Sequence, residues 1–127
     1  MSKIVFSRKC ELPPEKLIEI ALDYKNILKL FYPMIKGKII EKNENQTIIE
    51  ESFTMPVLKQ EIKQKSIHKR TSSNKMKMNI IEGPAKGTKI DIEFIQEYAE
   101  TKINIIVDLK LGLKYRLISS IIKQKYE

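Results

Sequence analysis

The sequence contains one cysteine, one histidine and no tryptophan, and these scarcities exclude several kinds of site. With only Cys10, the chain cannot form an internal disulfide bond, and it lacks the thiolates that a cysteine-ligated zinc ion needs. With only His68, most histidine-ligated zinc sites and any catalysis by several histidines are excluded as well. No recognisable catalytic motif is present, so we expect no catalytic residue, no metal site and no cofactor.

Long apolar runs and arginine are also scarce. No run is long enough to cross a bilayer, and charges stand where a signal peptide would be apolar, so we expect a cytoplasmic protein without stable membrane insertion. The net charge is +8, yet the arginines are only Arg8, Arg70 and Arg116, and the lysines are scattered between apolar positions. Proteins that bind nucleic acids usually concentrate arginine and aromatic residues on one helix or strand, so we do not expect a nucleic-acid partner. The length of 127 residues predicts a single domain, 1–127.

The clearest pattern lies in residues 88–111, where apolar and polar residues alternate in two consecutive stretches. A period of two predicts strands with one buried face, and the turn over residues 98–101 predicts that the two strands pair as an antiparallel hairpin. After Leu111 the period becomes that of an amphipathic helix of about a dozen residues. The apolar side of this helix consists of Leu113, Leu117, Ile118, Ile121 and Ile122.

The remaining elements follow from alternation, prolines and polar turns. We expect a strand over residues 3–11, a helix that opens at Pro13 and Pro14, and a second short helix over residues 25–31 that Pro33 ends. Four more strands are predicted over residues 35–43, 47–55, 57–70 and 75–82. Gly83 to Gly87 is followed by a strand and lacks the lysine and hydroxyl ending of a phosphate-binding loop, so a turn is expected there. The predicted order is one strand, two helices, six strands and a helix, an α+β arrangement.

This order resembles the START-like superfamily, also called helix-grip or birch-pollen-allergen-like, which includes polyketide cyclases and coenzyme Q-binding proteins. The chain is similar to small archaeal members in particular. The resemblance rests on the alternating first strand leading into residues 12–17, on Asp23-Tyr24, Tyr32-Pro33, Glu82-Gly83-Pro84 and Gly87, and on Gly112 before the last helix.

The resemblance implies a curved antiparallel sheet of about seven strands wrapped around the C-terminal helix. It also implies an apolar cavity between sheet and helix for a lipid, isoprenoid, polyketide or similar hydrophobic molecule. The last helix is shorter here than in typical members. Whether the cavity is small, open at one end or completed by a second subunit stays open.

The alternation selects the side chains that face this cavity. The expected ligand-binding residues are Phe6, Arg8, Glu51, Phe53, Gln60, Ile62, Gln64, Met76, Met78, Ile92, Phe94, Ile105, Val107, Leu117 and Ile121. An apolar wall with a few polar anchors is typical of a small-molecule pocket. Arg8 would hold a ligand carboxylate or phosphate; alternatively, it forms a structural ion pair with Glu51 or lies at an exposed strand end.

His68 has the ordinary pKa of a general base, but its neighbours Lys65, Lys69 and Arg70 indicate a strand end close to a turn. We therefore expect an exposed histidine without a chemical role. Cys10 lies in the inward row of the first strand, with no adjacent base in sequence, and is expected to be inert packing.

Three functions remain open from the sequence. The first is a non-enzymatic binding or carrier protein for a hydrophobic small molecule. The second is a cyclase or hydrolase on the same fold, with Arg8, Glu51, His68 or Tyr98 as its polar groups. The third is an interaction module that self-associates, in which case a homodimer would bury the last helices or the sheet edges.

Overall fold

The computed structural model describes the backbone of residues 2–55 and 59–111, and the side chains of these residues except Ser2, Met55 and Gln60. The predicted C-terminal helix, with its candidate residues Leu117 and Ile121, lies outside the described residues. The elements are helices α1 (Pro14–Leu22) and α2 (Tyr24–Phe31) and strands β1 (Ser2–Cys10), β2 (Ile35–Lys42), β3 (Gln46–Met55), β4 (Gln60–Ser72), β5 (Lys75–Glu82), β6 (Lys89–Glu97) and β7 (Glu100–Leu109).

The predicted element order is confirmed as far as Leu109, and most boundaries agree within two residues. Strand β7 begins at Glu100, inside the turn predicted over residues 98–101, and ends at Leu109 instead of Leu111. Strand β4 was predicted to stop at Arg70 and continues to Ser72. The end of β4 still pairs with β5, since Ser72 lies opposite Lys75 after a bulge. Hydroxyl residues here extend a strand instead of starting a turn.

The two helices are separated by a single residue, Asp23. Proline begins α1, where the missing N–H of Pro14 would have had no intrahelical acceptor, and Glu15 suits the positive end of the helix dipole. The Asp23 N–H donates to the Ile20 carbonyl, and the Asp23 carbonyl accepts from the Ile27 N–H. The backbone groups of Asp23 therefore close one helix and open the next, so that the chain changes direction without leaving them unpaired.

The seven strands form one antiparallel sheet in the order β1-β7-β6-β5-β4-β3-β2. Among the described residues, the only long connection between consecutive strands joins β1 to β2, and it contains the two helices. Irregular register occurs between β2 and β3 at Ile39 and Glu41, and at two places between β4 and β5. Bulges bend a strand and increase its twist, which suits the curvature of this sheet.

Both helices pack on one face of the sheet, which we call the inner face. Its core joins Ile18 of α1 and Tyr24 of α2 to Ile49, Met76 and Phe94 of three strands, and all five are at most 6% exposed. Burying apolar side chains of this size stabilises the fold by about 2 kcal/mol each. The core therefore fixes the helices over the β3 to β6 part of the sheet.

A buried hydroxyl attaches the connection before α1 to the sheet. The Thr101 side chain, which is fully buried, donates a hydrogen bond of 2.6 Å from Oγ1 to the Leu12 carbonyl. We expect Thr101→Val to lower the free energy of unfolding by about 1 kcal/mol, because the valine has the shape but not the hydrogen bond. Urea denaturation measures this, with Thr71→Val at an exposed position of β4 as the matched control. Equal effects of the two variants would contradict this role of Thr101.

Candidate functional site

The pairing register shows which side chains share the inner face, since residues directly opposite each other on paired strands project to the same side. One row crosses all seven strands, and a second row beside it crosses five. The first row is Ile4, Val107, Ile90, Met78, His68, Thr47 and Lys42, and the second is Phe6, Ile105, Ile92, Met76 and Arg70.

Other predicted site residues join this face through the same register. Arg8 lies opposite Ile103, which lies opposite Phe94; Glu51 lies opposite Gln64, and Phe53 opposite Ile62. Gln60 continues the row of Ile62 and Gln64 in its backbone position. The register thus places every described candidate on one face, as the alternation predicted, although the set extends from one sheet edge nearly to the other.

The inner face is divided by polarity. Strands β1, β7, β6 and β5 contribute almost only apolar side chains to it, and several of these are partly exposed, including Ile4 at 46% and Phe6 at 37%. Strands β3 and β4 contribute the polar side chains Thr47, Glu51, Gln64, Ser66, His68 and Arg70. A molecule lying along this face would meet an apolar surface at one side and a polar group of residues at the other.

Three of the polar residues form a hydrogen-bonded chain. The Ser66 hydroxyl lies 3.2 Å from Glu51 Oε1, to which it donates, and 2.8 Å from His68 Nε2. Ser66 has one hydroxyl hydrogen, so His68 must donate to it from Nε2. This assigns the tautomer of the histidine and leaves Nδ1 as an acceptor.

Tyr24 of α2 covers His68. The two ring centroids lie 4.8 Å apart with the ring planes tilted by 59°, and each residue is only 6% exposed. Within the described part of the chain, neither the Tyr24 hydroxyl nor His68 Nδ1 has a hydrogen-bond partner. We refer to Tyr24, Glu51, Ser66 and His68 as the polar cluster.

Burial shifts the pKa values of the two rings in opposite directions. It raises the pKa of Tyr24 to about 12 and lowers the pKa of His68 to about 4, because the charged form of each ring loses its hydration. Both rings are therefore neutral at pH 7. Such groups are suited to hydrogen bonding and poorly suited to proton transfer, which is most efficient when the pKa lies near the working pH.

The prediction of an exposed His68 is wrong. Lys65 and Lys69 belong to the opposite face of β4, and His68 alternates with them to face Thr47 and Met78 on the inner face. The lysines beside His68 do not indicate a strand end; in a strand they show only that the opposite face is exposed to solvent.

For Arg8, the exposed strand end is the alternative that the structure supports. Its side chain is exposed, its Nη1 donates to the Ser7 carbonyl at 2.8 Å, and the guanidinium lies 5.3 Å from the ring centroid of Phe6. The pair with Glu51 is not formed, because β1 and β3 are far apart in the strand order. Glu51 accepts from Ser66 instead.

Tyr98 does not belong to the site. It is fully exposed and has a positive φ of 45°, because it forms the tight turn between β6 and β7. Cys10 is half-buried opposite Thr101, in agreement with a packing role.

The sequence interpretation missed Tyr24 and Ser66 as site residues. Ser66 lies in the even-numbered row of β4 between Gln64 and His68, so the alternation could have found it. Tyr24 could have been found from helical spacing, since it precedes Leu28 by one turn. Nothing in the sequence indicated that Tyr24 covers His68.

Metal ligation and membrane spans were examined over residues 2–55 and 59–111. No three side chains among His, Cys, Asp and Glu come together there in a way that could hold a metal ion. Neither α1 nor α2 has the length and hydropathy to cross a bilayer.

Comparison with known proteins gives a clear result for the fold. No family model matches the sequence, and no curated protein matches it. Among solved structures, a START superfamily protein from Mycobacterium smegmatis superposes with a TM-score of 0.70 at 10% identity, covering 95% of this chain and 89% of the other. The chain has the START-like, helix-grip fold.

Two further solved structures are similar to this chain. A protein from Thermus thermophilus superposes with a TM-score of 0.79 at 13% identity, covering 97% of this chain and 85% of the other. The Zhui aromatase/cyclase from a Streptomyces species superposes with a TM-score of 0.75 at 12% identity, covering 87% of this chain and 68% of the other. At such low identity these likenesses concern the helix-grip fold and transfer no site residue.

Proposed function

We propose that this helix-grip protein binds a hydrophobic small molecule, such as a lipid, an isoprenoid or a polyketide-like compound, on the inner face of its sheet and acts as its carrier. One observation carries the proposal. Rows of partly exposed apolar side chains run directly into a buried polar cluster whose Tyr24 hydroxyl and His68 Nδ1 have no partner among the described residues. Apolar walls with few, well-placed polar groups are the usual composition of a small-molecule site.

The energetic basis is the apolar area of the inner face. Ile4 and Phe6 at the β1 edge are exposed, and Ile92, Ile105 and Val107 are half-buried. Covering apolar surface contributes about 25 cal/mol per Å². A ligand that covers a few of these side chains would therefore bind by hydrophobic contact alone, and the polar cluster would orient it.

Binding is favoured over catalysis by the direction of the hydrogen bonds. A serine nucleophile needs a histidine that accepts its proton, whereas His68 donates to Ser66 and the serine proton points to Glu51. The pKa values of Tyr24 and His68 also lie far from neutrality on either side. One of the similar structures is an aromatase/cyclase, so an enzyme is the alternative function. Conversion of a bound ligand into a product would support this alternative.

Two adjacent residues of β7 offer a matched test. Ile105 faces Phe6 and Ile92 on the inner face, while Ile106 faces Val5 and Asp91 on the outer face, and both are half-buried. We expect Ile105→Trp to weaken binding of the neutral fluorescent probe N-phenyl-1-naphthylamine at least about tenfold, because the larger ring occupies inner-face space. Ile106→Trp is expected to leave the dissociation constant nearly unchanged.

Circular dichroism would first show that both tryptophan variants are folded. Equal losses of affinity in the two variants, or a larger loss for Ile106→Trp, would contradict a ligand site on the inner face. Absence of any probe binding by the unmodified protein would contradict the proposed function itself.

A further inference from the structure

The polar cluster contains two unpartnered polar atoms, which belong to adjacent rings. The Tyr24 hydroxyl and His68 Nδ1 have no hydrogen-bond partner within the described residues, although both residues are only 6% exposed and their rings are 4.8 Å apart. Nearly all buried polar groups in folded proteins are paired, because an unpaired one forfeits its hydration without compensation. Two such atoms on adjacent rings at the inner face indicate a polar group that pairs with both.

The donor of Tyr24 and the acceptor of His68 that are free among the described residues determine which hydrogen bonds this group must form. Tyr24 has an O–H to donate. The Nε2–H of His68 already donates to Ser66, so Nδ1 can only accept. The complementary group must therefore accept one hydrogen bond and donate another.

Among common ligand groups, a hydroxyl meets both requirements with one oxygen atom. A carbonyl or an ether oxygen accepts from Tyr24 but leaves Nδ1 without a donor. A carboxylate would bring a negative charge against a neutral histidine and towards Glu51, and burying an uncompensated charge is costly. The geometry and the tautomer thus select a neutral donor and acceptor.

We propose that Tyr24 and His68 form a subsite for the hydroxyl group of an apolar alcohol or phenol, which accepts a hydrogen bond from Tyr24 and donates one to His68 Nδ1. The subsite rests on the proposed function and specifies the chemical class of its ligand. The row that contains His68 continues through Met78, Ile90 and Val107 to Ile4. The hydroxyl therefore lies at the β3 and β4 side, and the apolar body of the ligand extends over β5 to β1.

Three probes of nearly equal size test the subsite. The hydroxyl of 2-naphthol donates and accepts, the oxygen of 2-methoxynaphthalene only accepts, and 2-methylnaphthalene does neither. Their dissociation constants would be measured by fluorescence titration for the unmodified protein, Tyr24→Phe and Tyr32→Phe. Tyr32 is a matched control because it is 65% exposed just after α2.

We expect the unmodified protein and Tyr32→Phe to bind 2-naphthol about tenfold more tightly than 2-methylnaphthalene, since two hydrogen bonds are gained, and to bind 2-methoxynaphthalene with an intermediate affinity, since it gains only one. Tyr24→Phe should lose part of the preference for 2-naphthol, bind 2-methoxynaphthalene no better than 2-methylnaphthalene, and keep its affinity for 2-methylnaphthalene. Equal binding of the three probes by the unmodified protein would overturn the subsite and leave the proposed function standing. Because this comparison uses only the unmodified protein, it tests the subsite even if Tyr24→Phe does not fold. Failure of all three probes to bind would contradict the proposed function and the subsite together.

Discussion

Between about pH 7.5 and pH 5, the free energy of unfolding is expected to fall by about 2 kcal/mol more for the unmodified protein than for His68→Gln. The reason is the burial of His68, which lowers its pKa to about 4 in the folded protein. The unfolded chain has the ordinary histidine pKa of about 6.5 and binds a proton in this range, while the folded protein does not. Stability therefore decreases as the pH falls from about 6.5 towards about 4, and it is insensitive to this group well above the unfolded pKa.

Glutamine is a suitable replacement because it is polar and does not titrate. Tyr24 and, through Ser66, Glu51 face His68, and both are retained in the variant, so the difference between the two proteins isolates the histidine. Urea denaturation at several pH values provides the comparison. Parallel pH profiles for the two proteins would show that His68 is hydrated in the folded state, against the burial described here.

Gly83→Ala is expected to lower the free energy of unfolding by about 3 kcal/mol. Gly83 follows β5 with a φ of +112°, a conformation that residues with a Cβ rarely adopt. A Cβ at this position would also lie 2.8 Å from the Lys63 carbonyl oxygen and 2.9 Å from Gln64 Cβ. Neither neighbour is a flexible side-chain end, so the turn itself would have to move.

Gly87 in the same loop is the matched control. It also has a positive φ, of +96°, but a Cβ there would meet the flexible Lys110 side chain at 3.1 Å. Gly87→Ala should therefore cost at least about 1 kcal/mol less than Gly83→Ala, because only the conformational strain remains. Equal urea midpoints for the two variants would contradict the close backbone approach at Gly83.

The alternation of apolar residues predicted most of the sheet. Strand β5 has the predicted bounds, because Met76, Met78 and Ile80 mark one face without interruption. The hairpin of β6 and β7 was predicted from the same period, but its turn is shorter than the predicted residues 98–101, since β7 already begins at Glu100. The sequence predicts a turn over residues 71–74 because serine and asparagine favour turns, while the pairing of Ser72 with Lys75 depends on a partner strand that local sequence does not show.

The candidate site was only partly predictable, for a related reason. Alternation identifies which side chains share a face, and it correctly grouped Glu51, Gln64 and His68 with apolar residues. It does not show what covers a side chain, so the burial of His68 beneath Tyr24 could not be read from the lysines beside it. The hydrogen-bonded chain from Glu51 to His68 likewise depends on a register between β3 and β4 that only the folded sheet specifies.

The central claim is that the inner face binds a hydrophobic small molecule, and native mass spectrometry of the freshly purified protein tests it most directly. Organic extraction of the same sample would identify anything released, and the measured mass would also show whether a homodimer forms. We expect a discrete additional mass, removed by extraction and diminished in Ile105→Trp but not in Ile106→Trp. A protein that shows only its own mass, as monomer or dimer, and gains none on titration with apolar compounds would contradict the claim.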